Sequence, residues 1–128
     1  MTASAAYIDW LKDALSALGH ISVKRMFGGA GVYCDGLIIA LVDDDQLYLK
    51  TDAVGQAAFV AVGQSAFTYD TKHGPGQLKS YWRAPDSLAD DTDELVEWAR
   101  RALSVAQRAV LEAKPKTATK KREGKPRA

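Results

Sequence analysis

Residues 25–50 have the sequence RMFGGAGVYCDGLIIALVDDDQLYLK, and this stretch decides the fold. Asp35-Gly36 separates two apolar runs, and this dipeptide tolerates the positive φ angles of a tight type I′ hairpin turn. The run from Leu37 to Val42 is apolar on both side-chain parities, so we expect a central strand that is covered on both faces. Residues 46–50 then alternate at period two, as in a half-buried strand. The stretch therefore predicts a β-meander.

The register of the last strand in this stretch depends on the loop Asp43-Asp44-Asp45. A three-residue loop would give one face that is almost wholly apolar, and we prefer this alternative. That face would carry Val32, Cys34, Leu37, Ile39, Leu41, Leu47 and Leu49. A two-residue loop would slip the strand by one position and would move Leu47 and Leu49 to the opposite face. They would then join Tyr33, Ile38, Ala40 and Val42.

Outside this stretch, hydrophobic periodicity and capping residues predict three helices and three further strand segments. The helices span residues 5–18, 52–61 and 92–111, and the strand segments span residues 21–27, 66–70 and 78–84. The second helix is expected to bury Val54, Ala57 and Ala58. The last is expected to be capped by the side chain of Asp91, which would accept the Glu94 N–H, and to end at Lys114-Pro115. Its expected buried stripe is Leu95, Ala99, Ala102, Leu103, Ala106 and Val110. The glycines after residue 27 are expected to bend the first strand, since glycine in a strand often marks a bulge or a close backbone approach.

The composition indicates one soluble domain. The chain has 128 residues, of which 47% are hydrophobic and 26% are charged. Its single cysteine cannot form an intramolecular disulfide, and the N-terminus lacks a basic region followed by a long apolar run. No stretch approaches the roughly 18 consecutive apolar residues of a membrane helix. We therefore expect a cytoplasmic protein that has no contact with a membrane.

The charge is divided between an acidic body and a basic tail. Residues 114–128 contain seven Lys or Arg and one Glu, for a net charge of +6, whereas the other 113 residues contain 10 Lys or Arg and 15 Asp or Glu, for a net charge of −5. We expect a domain over residues 1–112 and a flexible, disordered tail over residues 113–128. Such a tail is typical of a solubilising terminus or of weak, non-specific binding to nucleic-acid phosphates. The candidate contacts are Lys114, Lys116, Lys120, Lys121, Arg122, Lys125 and Arg127.

The motifs that carry chemistry are incomplete. Gly29-Ala30-Gly31 resembles the start of a dinucleotide fingerprint, but Cys34 stands where the third glycine is required. His20 and His73 lack the paired spacing of metal ligands. No feature of the sequence places a base near Cys34, so a buried strand cysteine is a better interpretation than a nucleophile. We therefore expect no catalytic residues, no metal and no cofactor.

An ordered set of short motifs resembles a known family. The motifs are Met26-Phe27-Gly28-Gly29, Gly31-Val32-Tyr33, Asp35-Gly36, Leu47-Tyr48-Leu49-Lys50, Phe67-Thr68-Tyr69, Tyr81, Pro85 and Glu97-Trp98-Ala99-Arg100. With them the chain is similar to the TfoX/Sxy N-terminal domain family from about residue 24 to about residue 109. The resemblance implies a small single α+β domain of order α-β-β-β-α-β-β-α with a mainly antiparallel sheet.

The resemblance also implies a function. It implies a non-catalytic regulatory domain that acts in transcription by contacting another protein, either the transcription machinery or a regulator, as regulators of natural competence do. Competence regulators of this family add a C-terminal TfoX domain, whereas this sequence continues into the basic tail, which implies a stand-alone N-terminal domain. The expected interaction surface consists of Arg25, Phe27, Gly28, Gly29, Gly31 and Tyr33. The alanine-rich last helix and the open sheet edges are compatible with a homodimer, but monomeric domains share these features.

Overall fold

The computed structural model describes residues 3–26 and 28–120, with side chains up to residue 112. Its elements are α1 (Ala5–Ala14), β1 (Ile21–Met26), β2 (Gly29–Cys34), β3 (Leu37–Asp43), β4 (Gln46–Lys50), α2 (Gln56–Ala61), β5 (Ala66–Thr71), β6 (Gly74–Arg83), a short 3₁₀ helix (Asp86–Asp90) and α3 (Thr92–Lys120). The α+β class and the order in which helices and strand groups follow one another are confirmed.

All described strands form one antiparallel sheet in the order β1-β2-β3-β4-β6-β5. The central position of β3 is confirmed, because it pairs with β2 on one side and with β4 on the other. The hairpin turn at Asp35-Gly36 is also confirmed, since both residues have positive φ angles, of 50° and 86°. The turn-forming residues therefore predicted this hairpin correctly.

The prediction that the glycines after residue 27 bend a single strand was wrong. The segment forms a hairpin in which β1 pairs with β2, with Lys24 opposite Gly31 and Met26 opposite Gly29. Gly28, with a φ of 81°, lies in the connection. The backbone therefore reverses at a residue that tolerates a left-handed conformation, and Gly29 begins a separate strand.

The preferred three-residue loop was also wrong. Asp43 pairs with Gln46, and the two-residue loop Asp44-Asp45 has φ angles of 55° at both positions. Two consecutive positive φ angles are the requirement of a type I′ turn, which matches the twist of the flanking strands. Leu47 and Leu49 therefore lie opposite Val42 and Ala40, and all four are buried.

A β-bulge in β3 explains why neither predicted face was complete. Val32 pairs with Ala40, but the next residue, Tyr33, pairs with Ile38, so Ile39 is an extra residue in β3. A bulge lets two successive residues oppose one partner and resets the side-chain alternation. Both Ile39 and Ala40 are consequently fully buried, although they are neighbours in the chain.

The helices cover one face of the sheet, which we call the core face. The cluster there combines Leu11 of α1 and its C-cap residue Leu15, apolar residues of β2, β3 and β4, and the predicted stripe of α3. Its fully or almost fully buried members include Leu11, Leu15, Val32, Cys34, Ile39, Ala40, Val42, Leu49, Leu95, Ala99 and Ala102. Of the predicted α3 stripe, Leu103 packs against this cluster, whereas Val110 is exposed.

Helix α2 buries a different residue from those predicted. Val54 is 87% exposed, Ala57 is also exposed and Ala58 is only partly buried, whereas Phe59 is buried and meets the Trp98 ring edge-on at 5.0 Å. The reason is that α2 begins at Gln56, about one turn later than expected. The face that it turns to the core is therefore different.

The predicted cap of α3 is present, but the predicted end is not. The Glu94 backbone N–H donates to Asp91 Oδ1 at 3.1 Å, while the Glu94 carboxylate accepts a hydrogen bond from Trp98 Nε1 at 3.2 Å. The helix continues past Lys114-Pro115 to Lys120, so the prediction that it ends at that dipeptide was wrong. Because proline has no backbone N–H, the helix lacks one backbone hydrogen bond at Pro115.

Candidate functional site

The face of the sheet opposite the core face carries aromatic and apolar side chains, and we call it the open face. One row across it is formed by Lys24, Gly31, Leu41, Tyr48 and Arg83, which lie opposite one another on neighbouring strands. Because the described helices lie against the core face, no helix in the described part of the chain covers this row. The open face is therefore available for binding.

Gly31 lies at the base of a cluster on the open face. A β-carbon at this position would lie 2.7 Å from Met26 Cε, 3.3 Å from Tyr33 Cε1 and 3.4 Å from Ile38 Cδ1. These three side chains therefore meet above the glycine, which has no side chain of its own. The absence of a side chain at Gly31 allows them to lie close to the backbone of the sheet.

Tyrosines and cations are neighbours on the open face. Lys24 Nζ lies 5.3 Å from the centre of the Tyr33 ring, and Lys50 Nζ lies 5.1 Å from the centre of the Tyr81 ring. Both distances are in the range of a cation–π contact. Burial, with a smaller contribution from Tyr33, raises the pKa of Tyr81. The Tyr81 hydroxyl is therefore protonated at neutral pH and can donate a hydrogen bond, but it is not a base.

A groove of about 800 Å³ runs along the open face. Met26 and Leu41 lie on one side of it, and Phe67 and Leu78 lie on the other. The two sides are connected by Tyr48, whose ring meets that of Phe67 edge-on at 4.8 Å. Side chains of β1 and of β5, at opposite ends of the strand order, thus line one concavity, so the sheet curves strongly.

The groove combines an apolar lining with negative charge. Its apolar lining residues include Tyr69 and Leu78, which are 45% and 36% exposed. The charged residues that line it in the described part of the chain are Asp43 and Asp70, and both are acidic. Large, partly apolar concavities with a few polar groups are the usual form of binding sites.

Comparison with known protein families identifies one family that matches most of the chain. The family described as TfoX N-terminal domain matches residues 13–106, which include all six described strands and the groove. The chain belongs to the TfoX N-terminal domain family. No curated protein was found that matches it.

The predicted interaction surface of this TfoX N-terminal domain is divided between two faces of the sheet. Gly29 lines the groove, and Gly31 and Tyr33 lie on the open face beside it. Arg25 lies on the core face, where its Nη1 donates to the Ala3 carbonyl at 2.6 Å. Gly28 is exposed in the β1–β2 connection, and Phe27 lies outside the described residues. The structure therefore does not bring Arg25 together with Tyr33.

The predicted tail contacts lie in or beyond the last turns of α3. Lys114, Lys116 and Lys120 belong to the helical backbone, and their side chains are not described. Lys121, Arg122, Lys125 and Arg127 lie outside the described residues. Their proposed contact with nucleic acid thus stays a prediction from charge alone.

Sequence reasoning missed most of the groove of this TfoX N-terminal domain. Leu41, Phe67, Leu78 and Tyr81 were assigned to strands but not to a site. The period-two alternation of Phe67 and Tyr69 was a usable signal that both lie on one face. The curvature of the sheet, which brings them opposite Met26, could not be predicted from the residue pattern of any single strand.

The single cysteine of the chain lies in the core and does not line the groove. Cys34 is buried, and burial followed by the charge of Asp35 raises the pKa of its thiol. A raised pKa lowers the thiolate fraction and therefore the reactivity. Among the described residues, no three His, Cys, Asp or Glu side chains are grouped so that they could hold a metal ion. None of the helices in this part of the chain has the length and apolar character needed to span a membrane.

Proposed function

We propose that this chain is a non-catalytic, cytoplasmic regulatory domain that acts in transcription by binding another protein through the groove on the open face. The family assignment supports a regulatory role, and natural competence is the process that the family resemblance implies. The observation that carries the proposal is the groove itself. It is large, apolar, lined by aromatic rings and not covered by any described helix.

The composition of the groove favours binding of a macromolecule over catalysis. Aromatic residues and methionine are enriched in protein interfaces, and the groove contains Met26, Phe67, Tyr69 and Tyr81. Rigid aromatic rings bury a large area at a small cost in side-chain entropy. Such side chains supply apolar contact and hydroxyl donors rather than a nucleophile.

Affinity capture from the native cell tests this proposal. The double variant Tyr69→Ser and Leu78→Ser removes two partly exposed apolar side chains of the groove and should lose the captured partner. The matched control is Val60→Ser with Val62→Ser, which removes two exposed valines at helix α2 and should capture the same proteins as the unmodified chain. Circular dichroism establishes that both variants are folded. Identical capture by all three chains would contradict the proposal.

Two single variants test which face of the sheet binds the partner. Tyr33→Ala removes a ring of the open face and should weaken capture, whereas Arg25→Ala lies on the core face and should leave it unchanged. If Arg25→Ala abolishes capture in a folded protein and Tyr33→Ala does not, the partner binds elsewhere than the open face.

The second candidate is an accessory nucleic-acid-binding protein that works through the basic tail. The net charge of +6 on residues 114–128 favours it, since cations release condensed counterions from phosphates. A gel shift that weakens steeply with salt and disappears when residues 114–128 are deleted supports this candidate. No shift by the full-length chain at low ionic strength would exclude it. This candidate predicts that Tyr69→Ser with Leu78→Ser does not change the shift, because the double variant removes no positive charge.

A further inference from the structure

Strand β5 is an open edge of the sheet. It is the last strand in the order of the described sheet and pairs only with β6. In an antiparallel pair, hydrogen-bonded and non-hydrogen-bonded residue pairs alternate along the ladder. Asp70 lies opposite Pro75, which has no N–H to donate, so this pair belongs to the non-hydrogen-bonded set.

The alternation identifies which backbone groups face outward. Thr68, two residues before Asp70, lies opposite Gln77 and belongs to the same set. The N–H and C=O groups of Thr68 and Asp70 therefore point away from β6, toward the free edge. They are the groups that an additional strand would use for hydrogen bonds.

The two edges of the β5–β6 hairpin differ in how they are protected. Strand β6 carries Pro75, which removes one outward donor on its side. Strand β5 has the sequence AFTYDT, with no proline and no lysine to prevent pairing. A bulge between Ala66 and Phe67 interrupts the ladder, and the five residues that follow it, Phe67 to Thr71, are long enough for an added strand.

The groove follows this edge. Four consecutive residues of β5, from Phe67 to Asp70, line it. Side chains on one face of an added strand would continue the apolar surface of Phe67 and Tyr69, and those on the other face would lie beside Thr68 and Asp70. Asp70, which lines the groove beside the free edge, would favour a positive residue at the neighbouring position of an added strand.

We propose that the groove binds an extended segment of a partner protein, which adds as a strand beside β5 and alternates apolar residues with lysine or arginine. The inference rests on the proposed function, because it specifies the partner of the same groove. Main-chain hydrogen bonds to the edge would supply affinity, and the alternating side chains of the segment would supply specificity. A second copy of the chain fits less well, since it would bring its own Asp70 and acidic body toward Asp70 at the edge. Single-stranded nucleic acid fits less well, because it has no peptide groups to pair with the edge and its phosphates would lie beside Asp70.

The direct test uses a synthetic capped peptide of alternating valine and lysine, labelled with fluorescein, and the full-length chain. Fluorescence anisotropy should detect binding, and the valine–glutamate peptide should bind at least about tenfold more weakly. Thr68→Pro removes an outward N–H and should weaken binding about tenfold, whereas Thr68→Val keeps that N–H and should change it less than about twofold. Proline is tolerated in edge strands where its missing N–H would face solvent, so the variant is expected to fold.

A second measurement needs no variant. In the unmodified chain, the valine–lysine peptide should slow hydrogen exchange at the amides of Thr68 and Asp70, which NMR resolves. Unchanged exchange at both amides would overturn the inference, as would equal binding of the lysine and glutamate peptides. Dimerisation that Thr68→Pro abolishes would assign the edge to a second copy. Tighter binding of an oligothymidylate that is lost with Tyr69→Ser and Leu78→Ser would assign the groove to nucleic acid.

The experiment also separates this inference from the proposed function. If the native partner is retained by Thr68→Pro but lost with Tyr69→Ser and Leu78→Ser, the groove binds a protein without strand addition. In that case the inference fails and the proposed function stands. If all three substitutions leave capture unchanged in folded protein, both fail.

Discussion

Replacing Gly29 with alanine should destabilise the domain much more than the same replacement at Gly31. A methyl group at Gly29 would overlap the carbonyl oxygen of Val42, which belongs to the backbone of the central strand β3. That oxygen cannot move unless the pairing of β2 with β3 changes. Overpacking costs typically about 1–3 kcal/mol, and we expect the upper end because the obstructing atom is backbone.

The neighbours of Gly31 can move aside. The nearest atom to an added β-carbon is Met26 Cε at 2.7 Å, which is the end of a flexible side chain, and the next two atoms are 3.3 and 3.4 Å away. Methionine has three rotatable bonds and adapts to changes in shape. Alanine also reduces the entropy of the unfolded chain, which stabilises a protein by about 0.4–1 kcal/mol where the conformation is compatible. The net change at Gly31 should therefore be below about 1 kcal/mol in either direction.

Urea unfolding followed by tryptophan fluorescence measures the difference, because the chain has three tryptophans. Gly29→Ala should lower the free energy of unfolding by about 3 kcal/mol and the melting temperature by roughly 10 °C, with an unchanged slope against denaturant. Equal stability of the two variants would refute the assigned approach of β2 to β3. A larger loss at Gly31 than at Gly29 would refute the placement of Met26 over the open face.

Four further substitutions test separate parts of the structure. Phe59→Ala should cost about 3–5 kcal/mol in urea unfolding because the ring is buried, whereas Val54→Ala, at a side chain that is 87% exposed, should be nearly neutral. Asp91→Ala removes the acceptor of the Glu94 N–H and should cost about 1 kcal/mol, measured by the same method. Burial raises the pKa of Tyr7 from 10.0 to about 12, so the unfolded chain loses this proton first as the pH rises. The stabilisation is complete below pH 10 and is lost toward pH 12, and Tyr7→Phe should flatten that loss in unfolding measured from pH 9 to 12.

The errors in the strand predictions have one common cause. The length of the Asp44-Asp45 loop and the bulge at Ile39 both change which face a side chain occupies. Each follows from how a strand pairs with its neighbour, and a sequence window of one strand does not contain that information. The division of Arg25 from Tyr33 has the same origin, because the two residues lie on opposite faces of the β1–β2 hairpin.

Local sequence is sufficient to predict the features whose physical cause lies within a few residues. The turn at Asp35-Gly36, the cap at Asp91 and the buried stripe of α3 follow from local backbone preferences and helical periodicity. In contrast, the shared groove of Met26 and Phe67 and the free edge beside Thr68 are visible only in the folded chain. These features depend on sheet curvature and strand order, which arise from contacts between residues that are distant in the chain.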